Sequence, residues 1–393
     1  MKIAVNIHCL HPPLTGIGHY ARHILQVLID HPDVEELLGV SQQGWHSEAE
    51  LREILNSQQG YQPPTQTGSR PAQWLLKLKK LARKVPGIYS LYHYFFPRPP
   101  IELAPQQTDC IYWEPNYLPL RDMAGRAVIT VHDLSHLRCP QFHPGQRLLE
   151  LDRLPAAVAA AGHIITVSEF TRAELEHYFK LETNKVSVVN PAVNKDFVPQ
   201  SESRVKQLRD TYSLPESYLL FVGTIEPRKN LQGLLRAYNS LDSVTQRQQQ
   251  LVIVGARGWH IEEFDELIAE LNNANIILPG YIESRDLPAL YSGATILIYP
   301  SLYEGFGMPV LEAMACGTAV ITSDITSMPE VAAAAAELVD PSDIEDIAVA
   351  ITRVLADSEL RQSLVEKGLA VASRYSWEKS ANDLLAALKK ADL

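Results

Sequence analysis

Tyr299-Pro300-Ser301-Leu302-Tyr303-Glu304-Gly305-Phe306-Gly307-Met308-Pro309-Val310-Leu311-Glu312 reads as the passage from a strand into a helix. The apolar run Thr295–Tyr299 predicts a buried strand. A Gly-x-Gly turn leads into Pro309, which suits a first helical position, and Gly317 stops the helix. Strand, glycine turn and helix in that order form one unit of an α/β fold. Equivalent units lie on either side. Strands Leu219–Val222, Leu251–Val254, Ile276–Leu278 and Ala319–Thr322 are predicted, with helices over Asn230–Leu241, Glu262–Leu271, Asp343–Ala356, Glu359–Ser373 and Ser376–Leu388.

The first half alternates in the same way. Its strand candidates are Ile3–Ile7, Leu37–Val40, Cys110–Trp113, Ala127–Val131, Ile164–Val167 and Val186–Val189. Helices are predicted over Gly18–Leu28, Arg147–Ala161 and Phe170–Phe179. Pro199–Glu216 is charged and poor in large apolar residues, which predicts a linker. The chain of 393 residues is long enough for two cores. The reading is two doubly wound parallel sheets, residues 1–200 and 201–375, with ligands beyond the carboxyl ends of the strands in the cleft between them.

Composition narrows the class. With 46% hydrophobic and 21% charged residues the chain is not mainly disordered. No apolar run approaches the roughly 18 residues of a membrane span, and the apolar start is too brief for a signal-peptide core. The four cysteines are widely spaced with no C-x-x-C pair, which fits a reducing cytosol better than a disulfide scaffold or structural zinc. Net charge is −11: residues 1–200 hold 19 basic and 19 acidic residues, the remainder 16 and 27. That balance disfavours a nucleic-acid partner. Residues 70–98 run against it, with seven basic side chains and no acidic one.

The residues that can carry chemistry follow strands. Glu304 in the loop and Glu312 in the early helix can accept hydrogen bonds from vicinal sugar hydroxyls, and the amides of Phe306, Gly307, Met308 and Val310 open that helix. Arg228 and Lys229 stand together after a strand and can neutralise a diphosphate in place of a metal ion. Gly16 and Gly18 precede a helix and let backbone approach an anion. Gly16 to Ala21 formally spells G-x-G-x-x-A, but the loop after Ile7 is too long for a dinucleotide turn, and Glu35 and Glu36 precede the next strand. His132-Asp133 ends a strand; Glu114 and Asn116 end another. There is no Asp-x-Asp pair, no cluster with metal-ligand spacing, no phosphate-binding G-x-x-x-x-G-K-[ST] loop and no G-x-S-x-G. No cofactor and no metal are expected.

Gly16/Gly18, His132-Asp133, Val167-Ser168-Glu169-Phe170-Thr171, Gly223–Asn230 and the run EGFGMPVLE followed by AMACG occur in one order over nearly the whole chain. That set resembles the family-four retaining glycosyltransferases of GT-B fold. The resemblance implies two Rossmann-like domains, a nucleotide sugar held mainly by the second, and a C-terminal helix (376–393, with Trp377) packing back on the first. It also implies that Arg228 and Lys229 bind the donor diphosphate and Glu312 the ribose. Glu304, with the amides of Phe306, Gly307 and Met308, then holds the transferred sugar. His132 contacts that sugar near the reacting carbon, and Gly16/Gly18 approach the phosphates. Front-face attack, with the leaving phosphate helping to deprotonate the acceptor, would need no carboxylate nucleophile. Asn190-Pro191-Ala192, Ala319 and the alanines after Pro329-Glu330-Val331 depart from the family pattern.

The expected activity is transfer of a hexose to a glycan or lipid-linked acceptor in surface polysaccharide synthesis. UDP-glucose is the first expected donor and GDP-mannose the alternative. Segment 70–98, where Trp74, Leu75, Leu76, Leu78 and Leu81 interleave with lysines, is expected either to touch an anionic membrane from the cytoplasmic side or to pack on its own domain. Two other classes compete: an NAD-dependent sugar-nucleotide oxidoreductase or epimerase, and a non-catalytic two-lobed sugar-binding protein.

Overall fold

A computed structural model describes residues 1–12, 14–42, 44–57, 109–120 and 127–391. Segment 70–98 therefore lies outside the described residues. Two sheets organise the rest. The first has the order β3-β2-β1-β4-β5-β6-β7, built from β1 (Lys2–Asn6), β2 (Glu36–Ser41), β3 (Gly44–His46), β4 (Ile111–Glu114), β5 (Ala127–Val131), β6 (His163–Thr166) and β7 (Val186–Val188). The second has the order β10-β9-β8-β11-β12-β13, built from β8 (Tyr218–Val222), β9 (Gln250–Val254), β10 (Ile276–Gly280), β11 (Ile296–Tyr299), β12 (Ala319–Ser323) and β13 (Glu337–Val339). All pairings are parallel except β2 with β3. Central strands such as Leu219–Phe221 and Leu297–Tyr299 are fully buried, as expected of strands covered on both faces. Each sheet reverses its winding once, between β1 and β4 and between β8 and β11. Those switch points open the crevices where ligands bind in such sheets.

Three local expectations change. The polar stretch after Pro199 is not a free linker but contains a helix, Glu202–Tyr212. Val205 and Leu208 are buried, Ser201 caps its first turn, and buried Asp286 accepts hydrogen bonds from Arg204 and from Tyr212 Oη (2.8 Å). Arg147–Ala161 is two helices, Gly145–Leu151 and Leu154–Ala160, because Pro155 brings no N–H and starts a new one. Short strands β3 and β13 were hidden because three residues carry almost no periodicity.

The C-terminal helix Trp377–Lys390 crosses to the first unit. Trp377 stacks on His23 (4.9 Å between rings), Ser380 Oγ donates to the Asn190 carbonyl (2.6 Å), and Lys389 reaches Asp33. One apolar core consequently runs from Ile3 through Leu384 and Leu388 into the second sheet. On the cleft side the units meet at Gly305. Its carbonyl accepts from Ser168 Oγ (2.6 Å) and Thr171 Oγ1 (3.3 Å), and a Cβ there would lie 2.0 Å from the His132 carbonyl oxygen. Nearby, the Glu330 carboxylate accepts from the Glu169 and Phe170 amides (2.9 and 3.0 Å), capping the Glu169–Phe179 helix from the other unit.

Asp286→Ala leaves Arg204 and Tyr212 without their shared acceptor and should lower unfolding stability by about 1–2 kcal/mol. An unchanged urea midpoint would show that Glu202–Tyr212 is held by something else.

Candidate active site

The second switch point brings three sequence candidates into contact. After β8 the chain makes a 3-10 turn, Pro227–Lys229, and Asn230 takes a left-handed conformation (φ 56°) before the helix Leu231–Ser240. This turn aims Arg228 and Lys229 at the loop after β11, where Leu302 N donates to the Arg228 carbonyl (2.9 Å). Arg228 Nη1 donates to Glu304 Oε2 (2.8 Å) and to the Tyr303 carbonyl (2.8 Å). Its Nη2 donates to Glu226 Oε1 (2.7 Å). Lys229 Nζ donates to Glu304 Oε1 (2.5 Å), which also accepts from Tyr299 Oη and Ser301 Oγ, each at 2.8 Å.

Glu304 and Lys229 are both largely buried. Burial alone would raise the Glu304 pKa, but Arg228 and Lys229 outweigh it and hold the carboxyl down at about 2. Burial pulls the Lys229 ammonium below its ordinary value, with Glu304 opposing. Two cations thus pair directly with two carboxylates, Glu304 and Glu226, and Asp133 of the first unit lies within electrostatic reach of Arg228. Sequence reading missed Glu226, Tyr299 and Ser301 as partners in this cluster. Glu226 stands two residues before Arg228, but the 3-10 turn that brings the two side chains together is not encoded in any strand periodicity.

The other expected residues are placed as follows. Gly307 (φ 98°) caps the helix Met308–Ala315, and a Cβ there would meet Met328 at 2.2 Å. Phe306 and Val310 are buried, and Met308 is half-buried. Glu312 is half-buried and accepts from Tyr291 Oη (2.6 Å) rather than joining the cation cluster. Burial raises its pKa against that hydrogen bond.

His132 belongs to the first unit and reaches the site through its backbone, against Gly305. Its Nε2 donates to the Pro115 carbonyl (2.8 Å), which leaves Nδ1 as the acceptor. Burial lowers its pKa and keeps the ring neutral. Tyr20, from the helix that Gly16 and Gly18 begin, packs edge-on to His132 (5.3 Å). Gly18 is required sterically, since a Cβ would lie 2.5 Å from the Cys9 carbonyl, whereas Gly16 faces open space. At the first switch point Glu114 accepts from Asn6 Nδ2 (2.7 Å) and Tyr112 Oη (2.9 Å). With no cation beside it among the described residues, burial pushes its pKa up to about 8.

The sign of the Glu304 shift gives a pH dependence. Its folded pKa lies below the ordinary value of 4.5, so the stabilisation is complete above pH 4.5 and is lost as pH falls towards 2. Glu304→Gln should remove that acid limb. At pH 7 it should cost about 3 kcal/mol by leaving Lys229 without its carboxylate and Arg228 with Glu226 alone. Chemical denaturation from pH 2.5 to 7 checks both; parallel curves for the two proteins would contradict the assignment.

Comparison with known proteins agrees with this architecture. Residues 207–371 match the model described as glycosyl transferases group 1, and residues 16–197 match glycosyltransferase family 4. The chain is 33% identical over 393 residues to O-antigen chain mannosyltransferase B of Escherichia coli, covering 99% of this chain and 100% of that protein. It is 31% identical over 275 residues to the serotype-specific mannosyltransferase WbdA of the same species, covering 67% of this chain and 33% of that longer one. Among solved structures, sucrose-phosphate synthase of Thermosynechococcus elongatus superposes with TM-score 0.68 at 22% identity, covering 98% of each chain. Anabaena HepE in complex with UDP and glucose superposes with TM-score 0.66 at 16% identity, covering 99% of both. Likeness at those identities concerns the fold alone. The two facing sheets, the strand order and the full-length relationship lead to one conclusion: this chain belongs to the family-four, group 1 glycosyltransferases of GT-B fold.

Proposed function

We propose that the chain transfers mannose from GDP-mannose to a growing glycan of the O-antigen type, with retention of configuration. The observation that carries the donor sugar is the end-to-end relationship to an O-antigen chain mannosyltransferase. It moves the preference from UDP-glucose to GDP-mannose, since the UDP-bound neighbour is only 16% identical.

The chemistry assigns roles to this chain's residues. Arg228 and Lys229 hold the donor diphosphate and stabilise the negative charge that develops as it leaves, which makes a metal ion unnecessary for that task. The diphosphate takes over hydrogen bonds that both cations now give to Glu304. A Glu304 oxygen released in this way accepts from a hydroxyl of the transferred sugar. The amides of Phe306, Gly307 and Met308 lie at the start of the helix behind it, and Gly16 and Gly18 line the phosphates from the first unit. Glu312 accepts from the ribose hydroxyls. Neutral His132, with Nδ1 as acceptor, orients the sugar near the reacting carbon. The leaving phosphate removes the acceptor proton on the same face, so the acceptor oxygen replaces the phosphate oxygen without inversion.

A thermal-shift series decides the donor: GDP-mannose should raise the melting temperature by several degrees at 100 times Kd, with UDP-glucose and ADP-glucose giving less. Transfer should persist in EDTA, and NMR of the product should show the donor's anomeric configuration. Arg228→Ala should lower kcat/KM by about 100-fold. A larger shift with UDP-glucose would overturn the mannosyl reading.

A further inference from the structure

Tyr303 stands between the cation cluster and the first unit. Its carbonyl accepts from Arg228 Nη1 (2.8 Å), and the next residue is Glu304. The residue is 3% exposed, and its ring packs edge-on to Phe170 of the first unit (5.7 Å between rings). The hydroxyl accepts from the Leu134 amide (3.2 Å) and donates to the Glu174 carboxylate, residues 169 and 129 positions earlier in the chain. Phe170 and Glu174 are four apart on the helix Glu169–Phe179, so one face of that helix supplies both an apolar and a polar wall of the socket. Arg138 Nε holds the other Glu174 oxygen (2.9 Å).

A buried phenol needs a partner for its O–H. Here both partners belong to the opposite unit, so the hydroxyl keeps its bonds only while the two units hold this spacing. Burial raises the Glu174 pKa, and the Tyr303 hydroxyl and Arg138 act against it. Leu134 directly follows His132-Asp133, and the Asp133 amide donates to Tyr117 Oη (3.1 Å) of its own unit. Two consecutive amides therefore pin the His132 loop, each on a tyrosine hydroxyl, one from either unit. Hydrogen bonds thus connect Arg228, through the Tyr303 backbone and phenol, to the residue two after His132. Phenylalanine would fill the same socket but would leave Leu134 N and Glu174 without this partner.

We propose that Tyr303 is a positioning residue: its hydroxyl sets the distance between His132, which orients the transferred sugar, and Arg228 with Lys229, which hold the diphosphate. The inference rests on the transfer reading above and adds the link by which the diphosphate end of the donor is registered against the sugar end. When a diphosphate draws Arg228 away from Glu304, the Arg228 bond to the Tyr303 carbonyl stays available, so the tyrosine follows the occupied cation site. The reacting carbon and the phosphate oxygen are held from different units, and a misplacement of about 1 Å between them costs about 100-fold in rate.

Tyr303→Phe keeps the ring against Phe170 and removes the hydroxyl. In the full-length protein it should lower kcat by about 30-fold with the donor KM within about twofold of the parent's, because Arg228 and Lys229 keep their diphosphate contacts. The ratio of transfer to donor hydrolysis should fall about fivefold, since a misplaced sugar meets water more readily than acceptor. Glu174→Leu should change both in the same direction, and Glu174→Gln, which keeps an accepting oxygen, should retain most of the parental rate. Tyr303→Phe and Glu174→Leu combined should be no slower than the worse single variant. Rates are taken per donor site titrated, so a fall in folded fraction does not enter them. Should Tyr303→Phe not fold, Glu174→Leu carries the same readouts. A lower melting temperature with parental kcat and parental ratio would make Tyr303 a packing residue and overturn the proposal, as would fully additive losses in the double variant. A parent that binds GDP-mannose yet transfers nothing would instead sink the transfer reading. Amide exchange over residues 132–138 then reads the coupling: bound GDP-mannose should slow it in the parent and not in Tyr303→Phe, and equal behaviour of the two proteins would overturn the link.

Discussion

The Glu304 carboxylate balances Arg228 and Lys229 inside the protein, and the arrangement of the cleft depends on that balance. Taking a cation out of water costs several kcal/mol even after relaxation, and here two stand side by side. Glu304 offsets them with both oxygens, helped by Tyr299, Ser301 and Glu226. It also fixes the loop after β11, since the next residue, Gly305, touches the first unit. The turn after β8, the loop after β11 and the backbone of His132 are therefore a single coupled object. The global charge of −11 says little about this locality, where short hydrogen bonds decide the field.

The two switch points make an instructive pair. Each places a buried carboxylate beside the end of its unit's first strand: Glu114 with Asn6 in one unit, Glu304 with Arg228 and Lys229 in the other. Topology is shared, but the electrostatics are opposite. Among the described residues Glu114 has only neutral donors, and burial pushes its pKa up to about 8, whereas two cations hold Glu304 down at about 2. The same position in the two sheets thus holds a neutral carboxyl in one unit and an ionised carboxylate in the other.

Much of this was legible in the chain. Alternating apolar runs marked most strands within a residue or two, because strands covered on both faces are apolar throughout. The glycine turn into Pro309 and the adjacent Arg228-Lys229 identified the cation-bearing loops. What local pattern could not carry was the pairing. Arg204 and Tyr212 find Asp286 more than 70 residues away, so a docked helix with only two buried apolar residues looked like a linker. Glu330 caps a helix about 160 residues earlier, and no periodicity encodes that. Likewise, Arg228 and Lys229 were readable as anion binders, but not as cations already satisfied by Glu304.

At Gly305 the two units meet closely: its Cα faces the His132 carbonyl with no room for a Cβ, and its carbonyl is held by the Ser168 and Thr171 hydroxyls. Peptide geometry varies far less than side-chain size. The contact therefore acts as a mechanical stop whose spacing cannot drift as neighbouring positions diversify. Cleft walls and loop tips can change to suit another sugar or linkage while the closed width stays the same. A single methyl group at this position would collide with the His132 carbonyl and force the two units apart.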